Sequence, residues 1–73
     1  MNNTYEFSFK VDSKERHKSI VASGYIEAIE KASLILEQYN DDLDLIGFDN
    51  WEDVQDECLD HEISVSDLVE TDD

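Results

Sequence analysis

The chain has 73 residues, 40% of them apolar and 10% aromatic, and its 20 acids against five bases give a formal net charge of −15. That length allows one domain, residues 1–73, with a thin core, and the apolar content is above that of a purely disordered acidic tail. The charge argues against direct binding to nucleic acid or to an anionic membrane, whose phosphates would repel it, and no apolar run approaches the roughly 18 residues of a spanning helix.

Residues 4–11 alternate: Tyr5, Phe7, Phe9 and Val11 point one way, Thr4, Glu6, Ser8 and Lys10 the other. That pattern predicts a half-buried strand. Asp12–Lys18 is polar and mixed in sign, which reads as a hairpin loop, and Ser19–Ser23, with Ile20, Val21 and Ala22, reads as the returning antiparallel strand. Gly24 then interrupts and the period changes. Tyr25, Ile26, Ala28, Ile29, Ala32, Ile35, Leu36 and Tyr39 share one broad face of a helix over 25–39. Glu27 and Glu30 suit its first turns, Ser23 or Gly24 its N-cap and Asn40 its C-cap.

Leu43, Leu45, Ile46 and Phe48 predict a third strand over 43–49, with Gly47 as a bulge. Trp51, Val54, Cys58 and Leu59 recur at spacings near three and four, which predicts a short amphipathic helix over 51–60. Ile63, Val65, Leu68 and Val69 suggest a last strand, and Asp72 and Asp73 are expected to fray. The expected fold is α+β: an antiparallel sheet of three to four strands packed on one main helix in ββαβ order, plus a short acidic helix.

Charge is divided unevenly along this order. Residues 1–31 balance Lys10, Lys14, Arg16, Lys18 and Lys31 against Glu6, Asp12, Glu15, Glu27 and Glu30, whereas residues 32–73 hold the other 15 acids and no Lys or Arg. The first part reads as scaffold and the second as an acidic half. Crowding like charges works against compact folding, so a cationic partner is the simplest reason to keep them.

Within the acidic half, Asp49, Glu52, Asp53, Asp56, Glu57, Asp60 and Glu62 place seven carboxylates in fourteen residues. On a helix Glu52, Asp56 and Asp60 form one row, and Asp53 with Glu57 a second. Each step of four rises about 6 Å, near the spacing of successive phosphates on one nucleic-acid strand. Like charges so spaced cost a helix roughly 0.2–0.5 kcal/mol per pair. A solvated helix face is the plain alternative, but solubility needs a net charge of only about 2 to 8 in a small domain. Asp41, Asp42, Asp44, Asp67 and Glu70 extend the array into neighbouring segments.

The run Glu52-Asp53-Val54-Gln55-Asp56-Glu57-Cys58-Leu59-Asp60, on so small and negative a chain, resembles the DNA-mimic inhibitors of phages and mobile elements. These include anti-CRISPR proteins, anti-restriction proteins and inhibitors of uracil-DNA glycosylase. The resemblance is one of composition and spacing over residues 41–70. It implies a non-enzymatic inhibitor that presents carboxylates in place of phosphates and occupies the basic groove of a nucleic-acid-binding protein, such as a CRISPR effector or a restriction enzyme. The partner-binding residues would be Asp41, Asp42, Asp44, Asp49, Glu52, Asp53, Asp56, Glu57, Asp60 and Glu62. Trp51 would serve either as an apolar anchor beside them or as a plug of the core. Association with such a groove would weaken steeply as ionic strength rises. A second reading, from a different class, is an acidic adaptor or chaperone of a basic partner.

Other chemistries fit less well. Asp42, Asp44 and Gly47 match positions one, three and six of an EF-hand loop, but Ile46 at five and Asp53 at twelve break the pattern. Cys58 and His61 make half a zinc site without its other half, and the surrounding acids disfavour a thiolate. No catalytic residue, cofactor or metal is therefore expected. Cys58, the single cysteine, cannot form an intrachain disulfide, and Met1 leads into polar residues without a signal-peptide core, which points to a reducing cytoplasm.

Overall fold

Tyr5, Phe7 and Phe9 are 4%, 3% and 1% exposed, while Glu6 and Lys10 between and beyond them face solvent. This alternation makes β1 (Asn3–Val11) the central strand of a four-stranded antiparallel sheet in the computed structural model, which describes residues 2–71. The expected fraying of Asp72 and Asp73 lies outside the described residues. The order is β1, β2 (Lys14–Ala22), α1 (Tyr25–Glu37), α2 (Trp51–Asp60), β3 (Ser64–Val65) and β4 (Val69–Thr71). This is the expected small α+β fold, with the sheet's aromatic face buried under both helices.

The hairpin is tighter than its composition suggests. Only Asp12 and Ser13 form the turn, at φ 53° and 66°, and β2 begins at Lys14, inside the expected 12–18 loop. Two consecutive left-handed residues give the twist that joins antiparallel strands, and Asp tolerates that conformation. The pairs Phe9–Arg16 and Phe7–Lys18 put two cationic stems on the same face as the buried aromatics. The Arg16 guanidinium lies 5.1 Å over the Tyr39 ring, which itself meets Phe9 edge-on at 5.1 Å. The Arg16 side chain thus covers an aromatic ring at the edge of the core.

In a two-residue hairpin the bonded pairs alternate outward from Val11–Lys14, so Val21, opposite Thr4, turns its carbonyl away from β1. Lys31 of α1 donates to that carbonyl at 2.6 Å. By the same alternation Ser8 faces the other edge of β1, where its N–H donates to Ser66 Oγ and its carbonyl accepts from the Ser66 N–H, both at 2.8 Å. Three residues, 66–68, stand there opposite Phe7 and Ser8, between the pairs Phe9–Val65 and Glu6–Val69. The expected last strand is therefore two short pieces separated by a one-residue bulge.

α1 buries Ala28, Ile29, Ala32, Ser33 and Leu36; the small residues let it approach the sheet closely. Gly24 is the N-cap, and the Glu27 carboxylate reaches back to accept from the Ser23 N–H at 2.5 Å and Ser23 Oγ at 2.7 Å. Those bonds, with Lys31 beside it, hold the Glu27 carboxyl below its ordinary range. The helix stops at Glu37 with Gln38 as C-cap, two residues short of Tyr39, so Asn40 is not the cap. Asn40 instead opens the next turn, its side chain accepting from the Asp42 N–H at 2.9 Å.

No strand forms over 43–49. Leu43 and Leu45 are buried, but Ile46 and Gly47 form a turn, with Gly47 at φ +91°. Both edges of β1 are already taken by β2 and by β3 and β4. The segment's N–H groups find local acceptors instead: the Asn40 carbonyl for Leu43, the Glu37 carboxylate for Leu45 and the Asp44 carboxylate for Ile46. Alternating apolar residues here pin a loop against α1.

α2 starts at Asn50, whose side-chain oxygen accepts from the Glu52 N–H at 2.9 Å. It buries Trp51, Val54 and Cys58. Trp51 packs edge-on against Phe7 at 5.4 Å and donates from Nε1 to the Ser66 carbonyl at 2.8 Å. At 3% exposure Trp51 is a core residue, which corrects its assignment as a partner-facing anchor. Trp51→Ala should cost about 3–5 kcal/mol and Trp51→Phe about 1 kcal/mol for the lost hydrogen bond; urea melts followed by far-UV circular dichroism would measure both.

Candidate partner-binding surface

With Trp51, Val54 and Cys58 turned inward, about 100° per residue fixes where each acid of α2 points. Asp56 and Asp60 lie opposite the buried stripe, Glu52 and Asp53 flank them, and all four are exposed. Glu57 is half-buried and accepts from His61 Nε2 at 3.3 Å. Among the described residues the other ion pairs are His17–Glu15 at 3.2 Å and Lys31–Glu27 at 3.7 Å. None reaches Glu52, Asp53, Asp56 or Asp60, and none uses Lys10, Lys14, Arg16 or Lys18.

The C-terminal end of α2 adds a further exposed acid, Glu62. The Ile63 N–H donates to the Cys58 carbonyl at 2.9 Å and the Glu62 N–H to the Leu59 carbonyl at 3.0 Å, with Glu62 at φ 64°. This is a Schellman motif whose left-handed residue is an acid where glycine is favoured. The buried pair Cys58 and Ile63 supplies its apolar contact. Asp60 in the last turn also opposes the helix dipole. Repulsion along the rows, an acid at the negative helix end and an acid in left-handed backbone all cost stability.

Of the remaining acids expected at the site, Asp41, Asp42 and Asp44 are exposed on the loop after α1, and Asp49 is exposed at the entry to α2. Asn40, next to Asp41, shares a polar cleft with Glu62, His61, Tyr39 and Asp12, which brings the start of that loop to the C-terminal end of α2. Asp49 instead borders a groove against α1. Glu52, Asp53, Asp56 and Asp60 thus share the outer side of α2 and Glu62 follows at its cap, whereas Asp41, Asp42 and Asp44 are exposed on a separate loop and Asp49 turns to the groove against α1.

One residue of this surface departs from its expected place. Leu59, expected on the helix's apolar side, is 62% exposed. It lies off the 51, 54 and 58 stripe, beside Asp56, and a helical projection alone reveals that offset. Leu59 replaces Trp51 as the apolar contact available among the acids.

Cys58 is fully buried, and burial, with Glu57 adding to it, pushes its thiol from 9.0 up to about 11. Among the described residues no group of three or more His, Cys, Asp or Glu is placed to hold a metal ion. Nor is any helix among them long and apolar enough to cross a membrane. No family model, curated protein or solved structure matches the chain.

Glu62→Gly should raise stability by about 1 kcal/mol through relief of the left-handed backbone, read as a shift in the urea midpoint at unchanged slope. Cys58 should resist a thiol reagent at pH 8 in the folded protein and react at once in urea. Because the unfolded thiol ionises near 9.0 and the folded one near 11, its contribution to stability should be lost as pH rises through that window.

Proposed function

We propose that the protein is a non-enzymatic DNA-mimic inhibitor acting in the cytoplasm of a host cell. In this reading α2 and its cap occupy the basic nucleic-acid-binding groove of a target such as a CRISPR effector or a restriction enzyme. The observation that supports it most is the exposure of Glu52, Asp53, Asp56, Asp60 and Glu62 on one helix and its cap, with no cation pairing to the four helical acids among the described residues.

Such a face does two things for a basic groove. Its field draws the groove in and orients it before contact, at a rate that falls with ionic strength. On contact, each carboxylate offers two oxygens to a guanidinium fork, as a phosphate does. Leu59 adds a contact that salt does not screen. The costs noted in α2 fit this reading, because the charges that destabilise the free helix are neutralised in the complex.

The test is inhibition and binding of a candidate target with the triple variant Glu52→Lys, Asp56→Lys, Asp60→Lys. The parent should compete with duplex DNA for the target and bind more weakly as salt is raised. The variant should lose at least about 100-fold in affinity, taking each lost charge contact as roughly 1 kcal/mol or more. Undiminished inhibition by the folded variant would end the proposal. A stoichiometric complex that DNA cannot displace would favour an acidic adaptor or chaperone instead.

A further inference from the structure

Among the described residues, three of the seven large apolar side chains left exposed gather at one groove, which no residue of α2 lines. Of the large apolar residues left exposed, Ile26 at 50%, Leu34 at 61% and Ile46 at 81% all line one groove between α1 and residues 45–49, with Phe48 beside them. The loop wall is held in place: Leu45 is buried beneath it with its N–H on the Glu37 carboxylate, and the left-handed Gly47 turns the chain so that Ile46 stands outward. Glu30, Glu37 and Asp49 border the groove, and no basic residue lines it. Its volume of about 290 Å³ is at the floor of the range for small-molecule sites, a size suited to one or two side chains.

We propose that this groove docks a short basic amphipathic segment of a partner protein, with apolar residues between α1 and the loop and Lys or Arg on Glu30, Glu37 and Asp49. Charge selects that occupant. A second copy of this chain would set the same three acids against each other and add two charges of −15, whereas a basic helix satisfies apolar walls and acidic rim together. The site goes beyond the role given to α2 and uses none of the residues of that helix; Asp49, expected with the α2 acids, lines this groove instead.

The experiment titrates the isotope-labelled full chain with a synthetic Leu/Lys helix of about four turns, a scrambled peptide of equal charge without an apolar stripe, and a Leu/Glu helix. Amide shifts should move at Ile26, Leu34 and 46–49 with the Leu/Lys helix only. Ile46→Ser and Leu34→Ser, both at exposed positions, should each weaken binding by about tenfold, and Glu30→Lys should weaken it without touching the apolar walls. The triple α2 variant should keep the groove shifts, which separates this site from the DNA-mimic reading. Shifts confined to α2, equal binding by the scrambled or Leu/Glu peptide, unaffected binding by the Ser variants, or self-association through the groove would each overturn the proposal.

Discussion

Phe7 and Phe9 stack at 5.7 Å on β1, Trp51 closes on Phe7 and Tyr39 on Phe9, and the rest of the structure hangs on this aromatic ladder. Through these contacts the central strand holds the start of α2 and the end of α1. A chain of this size has few large side chains to bury, so each ring matters more than it would in a larger domain. The bulge at residues 66–68 belongs to the same unit, since Ser66 donates its N–H to the Ser8 carbonyl, accepts the Ser8 N–H on Oγ and accepts the Trp51 indole N–H on its carbonyl.

That spine lets α2 carry charge that an independent helix could not. Three like-charged pairs at four-residue spacing cost about 1 kcal/mol in total, and no basic residue in the last turn offsets the dipole. Burial of Trp51, Val54 and Cys58 more than compensates, at roughly 1.5–3 kcal/mol for a large side chain. The division of labour follows: the hairpin and α1 supply most of the core, and α2 devotes its outer surface to acids.

The elements legible in sequence were those whose period matched their environment. β1 alternates because one face is buried and one wet, and α1 shows a helical stripe because a broad face meets the sheet. The segment 43–49 was harder. Leu43 and Leu45 alternate as a strand would, yet they pin a loop: both edges of β1 are taken, and the segment's N–H groups bond to Asn40, Glu37 and Asp44 instead. The cationic half of β2 looked like loop because its residues are polar, yet they pair with β1 as far as Lys14, and Arg16 sets its guanidinium over the Tyr39 ring, a use of Arg that polarity hides. The acid row of α2 was readable from spacing alone. The groove at Ile46 was not, since it is made by two segments that only the fold brings together.

Lys31 is the last base in the chain, and its place has a consequence for how these molecules coexist at high concentration. Its ammonium occupies the Val21 carbonyl on the outer edge of β2, an acceptor that an incoming strand from another molecule would need. The rest of that edge carries Lys14, Arg16 and Lys18, which would meet their own kind in any edge-to-edge stack. Four of the five bases, Lys14, Arg16, Lys18 and Lys31, thus serve the open flank of a fold rich in aromatic strand residues, where they disfavour edge-to-edge templating.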